Sequence, residues 1–215
     1  DETSEGRDMG CDVDVTDSKL QNDVKTALKE TRVIKLDAVK GQIQLEEELK
    51  GIDSVVACLG NRQPSMARWC SKGMTSVIRA MEKNGIERLV ILSSMGIGED
   101  FTPLRNNLFP IRLLWNTMLR TILRSVWRDM REMESRVTAS KLDFLIVRPV
   151  GLTPEEPPRG EWHLLTSPAD DLYGGGAGLS VSVAKKDVAR FMLREATMPT
   201  FHRTGVTIGQ KPAQK

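Results

Sequence analysis

Three apolar runs stand out along the chain, at Val55-Val56-Ala57-Cys58-Leu59, Leu89-Val90-Ile91-Leu92 and Phe144-Leu145-Ile146-Val147. Each is continuous rather than alternating, as in strands buried on both faces of a parallel sheet. The pattern predicts strands over Asp53–Gly60, Arg88–Ser94 and Leu142–Pro149, the last stopped by its proline. Between them the period changes. Met74, Val77, Ile78 and Met81 recur at helical spacing and predict a helix over Trp69–Asn84, ended by Gly85. A long helical stretch is expected over Ile111–Ser140. Upstream, Cys11–Val15 and Val33–Leu36 read as short strands. A helix over Lys19–Lys29 would start behind the Thr16-Asp17-Ser18 cap, and another would cover Ile43–Leu49 before Gly51. Downstream, a Pro/Gly-rich loop is expected through Gly160. A strand within Gly178–Val183, a helix over Lys186–Glu195 and a strand over Gly205–Ile208 would follow. This alternation predicts an α/β fold with a doubly wound, mostly parallel sheet in one domain, 1–215, with 1–10 and 210–215 poorly ordered.

Composition narrows the function classes. The 215 residues suffice for one full core. A net charge of +2, from 31 Lys+Arg and 29 Asp+Glu, argues against nucleic acid, which needs clustered positive charge. Cys11, Cys58 and Cys70 form no C-x-x-C pair, and no metal-ligand spacing joins them to His163 or His202, so no metal site is expected. An odd number of scattered thiols suits a reducing compartment, the cytoplasm or an organelle matrix or stroma. No apolar stretch approaches the roughly 20 residues of a membrane-spanning helix. No targeting segment is visible. The chain does not begin with Met and is expected to be a processed form or a piece of a longer protein.

Three stretches, in order, carry a resemblance. They are Gly51-Ile52-Asp53-Ser54-Val55-Val56-Ala57-Cys58-Leu59-Gly60, then Gly85 to Gly96 (GIERLVILSSMG), then Ser140 to Leu152 (SKLDFLIVRPVGL). Together they resemble the atypical short-chain dehydrogenase/reductases, in the NAD(P)-binding branch with NmrA-like and flavin/biliverdin-reductase-like members. Residues 180–209, with Asp187-Val188-Ala189-Arg190-Phe191, are similar to that group's C-terminal part. The resemblance spans Asp14 to Gly209 and implies a Rossmann-like fold, a bound NADP or NAD, and a small-molecule substrate.

It also implies roles for particular residues. Leu59-Gly60-Asn61 matches the small-residue turn beside the cofactor's ribose, where the backbone must approach closely; the plainer alternative is that Gly60 ends a strand. Ser94, with Ser93 beside it, matches the strand-end serine that polarises a substrate carbonyl. The alternative is a hydroxyl that caps the following turn. Pro149, Val150, Gly151 and Leu152 match the segment against the nicotinamide end. The proline is expected to leave backbone groups open to a ligand. Asp14 fits the aspartate that contacts adenine, and Asp37 fits it less well.

Two departures matter. The chain lacks the family's Tyr-x-x-x-Lys. Its only tyrosine is Tyr173, next to a glycine run, and Trp127 to Glu134 (WRDMREME) occupies the helix where that pair would sit. A cation beside the phenol is what lets such a tyrosine shuttle a proton. No G-x-G-x-x-G turn follows a buried strand before Gly60, so the N-terminal βαβ unit is incomplete.

Other features have plain alternatives. Arg112, Arg120, Arg124, Arg128 and Arg131 line one side of the 111–131 helix and Leu114, Met118, Ile122, Val126 and Met130 another. A basic amphipathic helix can dock on a protein partner or an anionic membrane, or it can be a solvated face over a core face. Gly174-Gly175-Gly176-Ala177-Gly178 reads as a flexible turn, and His163 as a packed or surface residue rather than a proton donor. Two activities follow as expectations. The first is hydride transfer from NADPH to a small carbonyl or conjugated substrate with Ser94 as the catalytic side chain. The second is a non-catalytic nucleotide-binding scaffold or regulatory subunit.

Overall fold

The computed structural model describes residues 34–60, 68–95, 97, 124–154, 162–165 and 182–210. The chain divides into two compact units, Asp1–Lys35 and Leu36–Lys215, and the elements below belong to the second. In chain order they are α1 (Gln42–Glu48), β1 (Ser54–Ala57), α2 (Trp69–Asn84), β2 (Arg88–Leu92), α3 (Arg124–Ala139), β3 (Asp143–Pro149), β4 (Gly151–Thr153), β5 (Trp162–Leu165), β6 (Ser182–Ala184), α4 (Lys185–Thr197) and β7 (Thr204–Gln210).

The apolar runs form the sheet that their composition demands. Its order is β1-β2-β3-β7-β5, with β1, β2, β3 and β7 parallel and β5 antiparallel to β7. Alternate side chains feed two apolar layers. Leu89, Ile91, Phe144 and Ile146 pack with Met74, Val77, Ile78 and Met81 of α2 and with Met133 and Val137 of α3. On the other face Val90, Leu145, Val147, Val206 and Ile208 pack with Val188, Phe191 and Met192 of α4. Helices thus cover both faces, and the doubly wound α/β architecture is the observed one. Each fully buried Leu, Ile or Phe contributes about 1.5–3 kcal/mol, so these layers carry most of the stability.

Several boundaries were legible and others were not. The helix predicted over Trp69–Asn84 has those bounds, and Gly85 closes it in the left-handed region at φ 69°. Ile34–Leu36 forms no strand; Asp37 Oδ1 instead accepts from the N–H groups of Val39 (2.9 Å) and Lys40 (3.2 Å), a turn that leads into α1. The expected loop after Pro149 begins with a strand, because β4 pairs in parallel with β6. The antiparallel β5 is a strand that the sequence pattern did not reveal. Cys11–Val15, Lys19–Lys29 and the first part of the 111–140 helix lie outside the described residues.

At the N-terminal edge of the sheet the polar groups close on one another. Arg88 is buried and donates through Nε and Nη2 to the Glu195 carbonyl (3.0 and 2.8 Å). Its Nη1 donates to Asp143 Oδ2 (3.1 Å) and to the Phe201 carbonyl (3.0 Å). Glu195 is fully buried, lies 3.6 Å from Arg88 Nη2, and accepts from the Thr200 N–H (2.9 Å) and hydroxyl (2.5 Å). This network ties the α4–β7 connection to β2 and β3. Removing one partner of a buried pair leaves the other charge uncompensated. Glu195→Ala is therefore expected to lower unfolding stability by about 3–5 kcal/mol, read by urea denaturation.

Candidate functional site

The opposite, C-terminal edge is where a doubly wound sheet holds ligands. Ala57, Ile91 and Ile146 stand in one row of the parallel ladders. Three residues further along the chain from each come Gly60, beyond the end of β1, Ser94, beyond the end of β2, and Pro149, the last residue of β3. The ladder persists past the strands: the Ser93 N–H donates to the Val147 carbonyl (2.8 Å) and the Met95 N–H to the Pro149 carbonyl (3.0 Å). The Val150 N–H donates to the Ile208 carbonyl (3.1 Å).

These bonds correct one expectation. Pro149 does not leave its neighbours open, since its own carbonyl and the next N–H are both paired within the sheet. Val150 is buried in the α4 layer, and Leu59 packs against the α2 layer. Among the described residues at these strand ends, Gly60, Gly151 and Leu152 are exposed and Ser94 half-buried, the Leu152 side chain at 42%. A Cβ built on Gly60 would meet no described atom within 4 Å, so nothing in the described packing requires glycine there. Among the described residues the Ser94 hydroxyl has a long local acceptor, the Met95 carbonyl at 3.3 Å. Asp14 and Asn61 lie outside the described residues, as do the other residues between Gly60 and Arg68. Asp37, the second adenine candidate, commits its carboxylate to its own turn.

Ser93 has a different role from the one its motif suggests. Its side chain shares a face with Leu89 and Ile91, toward α3, and it is buried. The hydroxyl donates to Glu134 Oε1. Arg148, in the same ladder row and on the same face, donates through Nε to Glu134 Oε1 (3.0 Å) and through Nη2 to Oε2 (2.7 Å). Room for the guanidinium comes from Gly205 on β7: a Cβ there would lie 2.5 Å from Arg148 Nη1. Sequence reading missed Glu134. The available signal was a carboxylate inside the apolar stripe of α3, one helical turn after Met130 and beside Met133 and Val137.

A second buried carboxylate on α3 organises the first turn of α2. Asp129 accepts from the N–H groups of Cys70 (2.8 Å) and Ser71 (3.0 Å), supplying from a neighbouring helix the cap that α2 lacks locally. Arg68, just before α2, sits in the left-handed region at φ 64°. Burial, and then the Asp129 carboxylate, push the Cys70 thiol up to about 12. Of the basic stripe, Arg128 and Arg131 are exposed, and residues 111–123 lie outside the described ones. His163 stands on β5, opposite Gly209. Among the described residues no cluster suited to a metal ion occurs, and no helix is long and apolar enough to cross a membrane.

A family model described as NAD(P)H-binding matches residues 15–199. The chain belongs to that NAD(P)H-binding family. No curated protein matches it in sequence. Among solved structures, the NAD(P)H-binding chain is similar to a wide-type short-chain dehydrogenase/reductase from Veillonella parvula DSM 2008 in complex with NADP. Identity is 18% over 82% of this chain and 74% of that one, with a TM-score of 0.58. It is also similar to an oxidoreductase from Lactococcus lactis (16% identity, 83% and 71% covered, TM-score 0.62). A third is a provisionally named NADH-flavin reductase from Streptococcus pneumoniae TIGR4 (14% identity, 87% and 92% covered, TM-score 0.61). At these identities the likeness establishes the Rossmann fold. The family itself rests on the match over residues 15–199.

The two described cysteines of this family member differ in a checkable way. At pH 8 a thiol with a pKa of about 12 is almost wholly protonated, and Cys70 is buried besides. Cys58 is exposed. Iodoacetamide is expected to modify Cys58 in the native chain and Cys70 only after unfolding, read by peptide mapping with mass spectrometry.

Proposed function

We propose that the chain is an NAD(P)H-dependent reductase of a small carbonyl or conjugated substrate, with NADPH as the reductant. The observation that carries this reading is the parallel register of β1, β2 and β3, whose chains run on from a shared row toward Gly60, Ser94 and Pro149, in a member of the NAD(P)H-binding family. The fit to a nicotinamide nucleotide rests on Gly60. A glycine whose added Cβ would touch no described atom suits the close approach of a ribose or nicotinamide ring. Gly151 and the exposed Leu152 would flank the same ligand. The bound nucleotide would supply the hydride. Ser94 Oγ would donate a hydrogen bond to the substrate's carbonyl oxygen and so favour charge developing there. Glu134 is already bonded on both oxygens, so the proton that completes the alcohol would come from water or from the substrate itself.

One observation favours a second reading, a nucleotide-binding scaffold or regulatory subunit without turnover. Where the family's proton-transferring pair would sit, α3 presents Met130 and the committed Glu134. Fluorescence titration with NADH and NADPH, followed by oxidation assays against carbonyls, quinones and flavins, separates the two. Binding with turnover supports the reductase, and binding without turnover supports the scaffold. If neither dinucleotide binds, both readings fail. Gly60→Ala sharpens the test. It is expected to change stability by less than about 0.5 kcal/mol, because the new methyl meets no described atom. It is expected to weaken dinucleotide binding roughly tenfold, because that space belongs to the ligand.

A further inference from the structure

A buried ion pair is seldom kept for stability alone. Desolvation cancels much of its attraction, and an apolar replacement of equal volume often does as well. Glu134 is buried and its partner Arg148 half-buried, and the location of the pair is informative. Arg148 immediately precedes Pro149 on β3. Ser93 immediately precedes Ser94 at the end of β2. Both side chains reach across to the same carboxylate on α3, so Glu134 grips the last sheet-facing side chain before each of two strand ends. The side chain of Glu134 is 8% exposed and that of Arg148 23%. On β7, Gly205 holds open the space the guanidinium needs.

Resting on the reductase reading above, we infer that Glu134 is a positioning residue for the ligand edge: through Ser93 and Arg148 it fixes the spacing of the β2 and β3 ends that receive the nicotinamide half of the nucleotide. Glu134 touches no ligand itself. It works by holding Ser94 and the Pro149–Gly151 backbone in one arrangement, so that the ligand need not order them on binding. The adenosine half, seated elsewhere along the edge, does not depend on this clamp. The two halves of the cofactor should therefore respond differently when the clamp is cut. A loss of general stability would not separate them.

The test uses the full 215-residue chain and two ligands. One is NADH or NADPH, whichever binds the wild type more tightly. The other is its matching fragment without nicotinamide, ADP-ribose or the 2′-phosphate of ADP-ribose. Glu134→Gln keeps the shape but removes the charge. Ser93→Ala cuts only one bond and serves if the first variant does not fold. Each variant is expected to bind the dinucleotide roughly tenfold more weakly while holding the fragment within about twofold of wild type. Reduced-nicotinamide fluorescence, which reports the ring's surroundings, should shift back toward that of the unbound dinucleotide at saturation. Equal losses for both ligands, or no loss for either in a folded variant, would overturn the positioning role. If the wild type binds the fragment but gains nothing from the nicotinamide, the clamp positions nothing and the inference fails. A wild type that binds neither ligand overturns the reductase reading itself, and this inference with it.

Discussion

The site depends on one constraint, the hydrogen-bond register among β1, β2 and β3. A parallel ladder fixes which residues stand side by side, and slipping it by one place would turn every side chain to the other face. Because Ala57, Ile91 and Ile146 share a row, the apolar residues before them fill two continuous layers and the residues after them finish together. The same register puts Ser93 beside Arg148, which is why one carboxylate can reach both. Packing and site geometry are thus set by a single alignment.

The two edges of the sheet use their polar groups in opposite ways. At the N-terminal edge Arg88, Asp143, Glu195 and the 200–203 turn bond to one another and to backbone carbonyls. Arg203 completes this closure by donating to the carbonyls of Leu142 (2.7 Å) and Ser140 (3.1 Å). At the C-terminal edge Glu134 and Arg148 bond to each other one layer below Ser94 and Gly151, while Arg68 and Arg131 are exposed nearby. Buried charge there stiffens the rim without occupying it.

Much of this was legible because it follows from local chemistry. Continuous apolar runs marked β1, β2 and β3, and the Met74–Met81 spacing with Gly85 marked α2 closely. The ordered strand ends pointed to the family, and Gly60 and Ser94 do lie on the accessible edge. What failed was long-range. Val150 looked like a lining residue because its neighbours Pro149 and Gly151 are turn-formers, yet tertiary pairing with β7 draws it inward. Ser93 looked like a partner of Ser94, but strand alternation sends its hydroxyl to the other face. Glu134 and Asp129 read as ordinary helix charges. Their partners, Arg148 and the first turn of α2, are distant in sequence, and no periodicity connects them. β5 escaped notice because an edge strand of four residues carries little pattern of its own.

On the proposed reading the ends of β1, β2 and β3 together form one nicotinamide-nucleotide edge. Amide NMR of the isotope-labelled chain during titration with NADPH or NADH tests it most directly. Shifts are expected to concentrate at Gly60, Ser94, Met95, Gly151 and Leu152, with Arg88, Asp143 and His202 at the far edge unmoved. Shifts centred on the far edge, or none anywhere at saturating dinucleotide, would contradict it.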